Sequence, residues 1–119
     1  MDAFIVLGVA SLAIVLLFGG ESLAQTPAPT DVVVTINTAN KFQQVLASSG
    51  TARRMLRISN NNTNDDICWV FVGSGRATKE ASYAVPPGEQ YLRYAPLVPS
   101  DAIQATCSSS SDTLDVEYQ

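Results

Sequence analysis

The sequence predicts an all-β fold: a single small antiparallel β-sandwich of seven or eight short strands, a jelly roll among its arrangements, preceded by an N-terminal hydrophobic helix. Three observations predict it. Short β-branched or alternating runs recur about every ten residues. Clusters of Gly, Pro, Asn and Ser separate them. No stretch after the N-terminus keeps a helical period long enough to stand as a helix.

The chain has 119 residues, room for one domain. AFIVLGVASLAIVLLF opens an uncharged segment, residues 3–20, that would make a helix of roughly 27 Å. Two readings stay open. Ser22-Leu23-Ala24 before Gln25 has the small residues of a signal cleavage site, which would make residues 1–24 a signal peptide. The alternative is a retained N-terminal anchor. The run is short for a span, and no Lys or Arg precedes it. Either way the rest of the chain is exported, anchored at a membrane or displayed on an extracellular or virion surface. Residues 25–30, QTPAPT, read as an extended proline-rich linker. The sandwich is assigned to residues 31–119.

Each strand has its local reason. Val32–Ile36 is β-branched. Phe42–Ala47 reads as a strand or a single turn, with Asn40 and Gln43 resembling a capping box. Arg54–Ser59 alternates, Leu56 and Ile58 inward, Arg57 and Ser59 outward. Asn60–Asp66 is a polar cluster suited to Asx turns and reads as a solvated hairpin loop. Ile67–Val72 is apolar on both faces, which predicts a central strand covered on both sides. Ser82–Val85 stops at Pro86, and Pro87-Gly88 fits a type II turn. Tyr91–Tyr94 and Ala102–Cys107 follow, separated by a loop with two prolines. Thr113–Tyr118 alternates strictly, Leu114, Val116 and Tyr118 inward.

Both cysteines, Cys68 and Cys107, lie beyond the export segment. An even pair in an oxidising compartment reads as one disulfide. With no His in the chain, neither a zinc site nor a histidine base can be built. A net charge of −4 and a pI near 4.5 argue against nucleic acid as a partner. Arg53, Arg54 and Arg57 read as a solvated strand face.

Three motifs invite chemistry. GSGRATK, residues 73–79, follows an apolar strand as a phosphate loop would, but it has no Gly-Lys pair and no helix after it. It reads as a turn, with Gly73 and Gly75 supplying positive φ and Arg76 and Lys79 in solvent. Asn62, Asn64 and Asp66 have the opening spacing of a calcium loop, but Ile67 stands where its glycine belongs. NNT at 61–63 is a glycosylation sequon in a eukaryotic secretory route. Asp115 and Glu117 share one face of the last strand and read as its wet side. Trp69, Tyr83, Tyr91 and Tyr94 are the candidate binding surface, suited to a sugar or peptide; core or rim packing is the plainer role for aromatics in a sandwich.

RMLRISN at 54–60, WVFVG at 69–73, VPPG at 85–88 before Tyr91, and SDAI at 100–103 before the closing Leu114-x-Val116 strand resemble the small β-sandwich structural and surface proteins of phages and prophages. The likeness covers residues 53–118. It implies structural or attachment work in many copies, with self-association or other structural proteins as partners. No catalytic residue, cofactor or metal comes with it. The hydrophobic N-terminus departs from an ordinary capsid or tail protein and suits a virion with an internal membrane, or an envelope protein of the host. The reading is therefore a non-catalytic, exported or membrane-tethered virion component; the alternative is a secreted module that grips a glycan or peptide.

Overall fold

The computed structural model describes residues 28–119. The hydrophobic segment 3–20 and the Ala24–Gln25 junction lie outside the described residues. Eight strands follow one another: β1 Thr30–Thr35, β2 Gln43–Leu46, β3 Met55–Ser59, β4 Cys68–Val72, β5 Tyr83–Val85, β6 Gln90–Tyr94, β7 Ile103–Cys107 and β8 Thr113–Tyr118. They form two four-stranded antiparallel sheets, ordered β1-β8-β3-β6 and β2-β7-β4-β5. Only the β4–β5 connection stays within a sheet.

Period two builds the core. Leu56, Ile58, Leu114 and Val116 face inward from one sheet; Cys68, Val70, Ile103 and Ala105 meet them from the other. All are essentially inaccessible, and each large apolar side chain so buried contributes on the order of 1.5–3 kcal/mol. Ile36 lies just past the end of β1 and packs into the same layer. Residues 43–46 form a strand, and Gln43 does not cap a helix. Its side chain accepts from Asn37 N (2.9 Å) and donates to the Thr35 carbonyl (3.1 Å). Asn40 has the left-handed φ of 59° that such a tight entry requires.

Pro86–Glu89 closes as expected: Glu89 N donates to the Pro86 carbonyl at 3.0 Å and Gly88 has φ 83°, the value a type II turn requires at its third residue.

Four expectations need correction. β4 is central in its sheet, but only its Cys68–Val70 face is buried; Trp69 and Phe71 are half-covered on the outer face. Ser59 faces outward yet is buried beside Gln90. Residues 60–66 are no solvated hairpin loop, because β3 and β4 lie in different sheets. Asn60 is fully buried there. Its amide donates to the Asp66 and Val85 carbonyls, both at 2.9 Å, and its Oδ1 accepts from Asn62. The Asx geometry is present at Asn60–Asn62 and Asn64–Asp66. Finally, Arg53 precedes β3 and is buried, so the arginines share no solvated face.

Cys68 and Cys107 are bonded, and they sit opposite each other in the β4–β7 ladder. The bond closes a chain separation of 39 residues, for which loop entropy predicts about 4 kcal/mol. The Cys68→Ala/Cys107→Ala chain should therefore unfold at markedly lower urea. Unreduced native protein should weigh about two daltons less than reduced protein, one hydrogen lost per sulfur. An unchanged urea midpoint would contradict this account.

Candidate functional site

Alternation places Tyr91 and Arg93 on the same face of β6, opposite the inward residues Ile58 and Leu56 of β3. Tyr83 faces inward from β5, in register with Val70. β5 and β6 are the edges of their respective sheets on the same side of the sandwich, so the three side chains meet at its mouth. The Tyr83 and Tyr91 rings lie 5.0 Å apart at 47°. The Arg93 guanidinium sits 4.4 Å from the Tyr91 ring centre and 5.2 Å from that of Tyr83, inside cation–π range. Tyr91 is buried and Tyr83 is 49 % exposed. Burial raises the Tyr91 phenol's pKa against the lowering pull of Arg93. Two adjoining hollows of about 240 and 350 Å³ share these residues; the larger extends over Val72 and Val98 toward Leu97.

The four predicted aromatics are thus not one surface. Trp69 lies on the outer face of the other sheet, under Lys79 Nζ at 4.0 Å from its ring centre. Tyr94 is exposed on the outer face at the end of β6, opposite Met55. Arg93 was missed, although Tyr91-x-Arg93 on a period-two strand already implies a shared face.

At the opposite side, the edges β1 and β2 leave a cleft of about 450 Å³ lined by Val32, Val45, Leu46, Val116 and Tyr118. Arg53, 5 % exposed, also lines it. Its guanidinium donates to the carbonyls of Ala47 (2.6 Å), Pro99 (2.5 Å) and Asp101 (3.0 Å). Burial lowers its pKa, with Tyr118 and Asp101 pulling the other way. These three bonds tie the β2–β3 loop, which carries Arg53 and Ala47, to the β6–β7 loop.

GSGRATK is a pinned loop. Gly73 N donates to the Ala102 carbonyl at 2.7 Å, and Gln104 Nε2 donates to the carbonyls of Gly73 (3.0 Å) and Gly75 (2.9 Å). The Gly73 N–H that an anion would need already has a partner. Gly73 has φ 125°; Gly75 does not have positive φ. Lys79 is no free solvent group: besides covering Trp69 it donates to Asn40 Oδ1 at 2.7 Å. Asn62 and Asn64 hold Thr113 and Asp112 by their side chains. Among the described residues no group of three or more potential metal ligands gathers.

The outer face of the β1-β8-β3 sheet carries an acid cluster. Glu117 stands opposite Arg57 and pairs with it; Asp115 is 3.9 Å from the same guanidinium. A hydrogen bond with Asp31 raises the Asp115 pKa, burial and the charge of Asp31 add to the rise, and Arg57 opposes it.

No protein-family model, no curated protein and no solved structure matches the chain.

Two predictions follow from these contacts. Arg76→Ala should leave stability within about 0.5 kcal/mol, the range for surface changes, whereas Lys79→Ala should cost about 1 kcal/mol by uncovering Trp69. Equal effects in chemical denaturation would refute the Lys79–Trp69 contact. The second concerns pH. Above the ordinary Asp range, about 3.9, the folded Asp115 holds a proton that the unfolded chain has released. Stability therefore falls as pH rises through the interval up to its folded pKa. Asp31→Asn should stabilise the protein at neutral pH, with the gain shrinking as pH drops into that range. A gain independent of pH would exclude the carboxyl pair as its cause.

Proposed function

We propose that this chain is a non-catalytic, exported β-sandwich of the jelly-roll kind that works in many copies as a structural surface component, of the phage virion type. The strand orders β1-β8-β3-β6 and β2-β7-β4-β5, joined by crossings at nearly every loop, support the jelly-roll reading, an eight-stranded architecture that recurs in viral capsids and lectin domains. A buried disulfide suits an oxidising compartment. Residues 3–20, if uncleaved, tether the sandwich to a membrane.

The observation that carries self-association is the β1 edge. Natural sheets blunt their edges by brevity, bulges or inward charges. β5 has three residues, β2 shifts register between Gln44 and Leu46, and β6 turns Arg93 inward. β1 has none of these devices: six residues long, in unbroken register with β8, without Lys or Pro. Ile36 makes its backbone bonds on the β8 side, with Asp112 and Ser111, so by alternation Val33 and Asp31 turn their N–H and C=O groups to the open edge. Val33 is 66 % exposed. Such an edge pairs with another strand, and a second copy supplies one.

Sedimentation of the full chain should reveal dimers or larger species that Val33→Lys disperses without loss of fold. A wild-type chain that stays monomeric at every concentration would sink the self-association. The protein's absence from purified particles would sink the virion assignment. A second reading, a module binding a sugar or peptide, is favoured by the Tyr83–Tyr91–Arg93 mouth alone.

A further inference from the structure

We propose that the mouth between β5 and β6 binds a carboxylated saccharide, its carboxylate on Arg93 and its sugar ring against Tyr83. This deepens the binding-module reading and is independent of self-association through β1, which lies at the opposite edge of the sheet.

Arg93 stands at the centre of this mouth. In a chain of net charge −4, its cation faces the inside of a sandwich edge. The ion pairs of the described residues belong to Arg57, and Arg93 makes none. Its one hydrogen bond, 2.9 Å, runs from Nη1 to the neighbouring Leu92 carbonyl. The planar fork keeps further N–H donors without a protein acceptor, and two aromatic rings orient it. A guanidinium oriented by stacking and short of acceptors is matched by a carboxylate, which takes two parallel N–H bonds.

The rest of the hollow says what carries that carboxylate. Tyr83 presents a half-exposed ring beside the guanidinium. Val72 and Val98 floor the adjoining hollow, and Leu97, 76 % exposed, stands at its rim. Of the two hollows, the one of about 350 Å³ is at the small end of ligand sites, roughly 300–1,000 Å³, and the one of about 240 Å³ lies below that range. An acidic pyranose has what this geometry asks for in one rigid unit: an apolar C–H face to lie on a ring, and a carboxylate fixed at its periphery. An Asp or Glu of a peptide carries its carboxylate on a flexible stem and has no flat apolar face.

The test is calorimetric titration of the full chain with two probes, an oligogalacturonate and a trisaccharide ending in N-acetylneuraminic acid, beside their neutral counterparts and an acidic hexapeptide. At least one acidic sugar should bind, more weakly as salt rises. Arg93→Lys keeps the charge but loses the stacked fork and should weaken binding at least tenfold. Tyr83→Ser changes a half-exposed residue and should do the same with the fold intact. The proposal is overturned if neither acidic sugar binds, if the neutral counterparts bind equally well, if both variants bind like wild type, or if the hexapeptide binds as tightly as the sugars. Sedimentation of the same variants should be unchanged, which separates failure here from failure of the self-association.

Discussion

Nearly every connection in this domain carries the chain from one sheet to the other, and that crossing is the constraint on which the rest depends. A loop that spans two sheets brings its backbone over the end of the core. Its carbonyls and amides then need partners that no ladder supplies. Backbone bonds between loops meet part of that demand, and two buried side chains meet another part. Asn60 satisfies carbonyls at Asp66 and Val85 while accepting from Asn62. Arg53 gathers carbonyls from Ala47, Pro99 and Asp101. Both are buried polar groups whose hydrogen bonds to loop carbonyls hold those loops in place. The disulfide works differently: it joins strands that are already neighbours, and its main effect falls on the unfolded chain.

The same topology sends function to the edges. Loops committed to the core ends have little freedom to carry a site. GSGRATK illustrates this, its carbonyls held by Gln104 and its lysine laid over Trp69. What remains are the two lateral openings between the sheets. One is lined by Tyr83, Tyr91 and Arg93; the other lies between β1 and β2, over apolar walls.

Local chemistry made most of the strands legible. Period two fixed the inward residues of β3 and β8, and Pro87-Gly88 fixed a turn, because both depend only on neighbours in sequence. The cysteine pair was legible from count and compartment. Which loops cross was not, because a polar cluster such as 60–66 has the same composition in a hairpin as in a crossing. Arg53 read as one of three solvated arginines, because its acceptors lie six residues before it and more than forty after it. Lys79 was misread for the same reason: Asn40 and Trp69 are distant in sequence. Grouping four aromatics as one surface ignored the alternation that separates Trp69 and Tyr94 from Tyr83 and Tyr91. Applied to Tyr91-x-Arg93, that alternation would have found the mouth.

The unequal edges of the β1-β8-β3-β6 sheet also limit what an assembly could be. Head-to-tail extension would need β1 of one copy to pair with β6 of the next, and β6 turns Arg93 into its mouth. Pairing β1 with β1 needs no second kind of edge and closes on a twofold axis. Antiparallel partners share a sheet face, so that axis must pass between two copies of the same residue, and the outward residues of β1 offer three such centres. Centred on Asp31 it would oppose two carboxylates, each already facing the charge of Asp115 in its own copy. Centred on Thr35 it would meet the Gln43 side chain that holds the Thr35 carbonyl. Centred on Val33 it sets the most exposed valine of β1 against itself and Asp31 opposite Thr35, whose hydroxyl can donate to it and whose carbonyl Gln43 must then release. The β1 edge on this reading makes a closed pair, and a larger assembly of such pairs needs contacts other than β1.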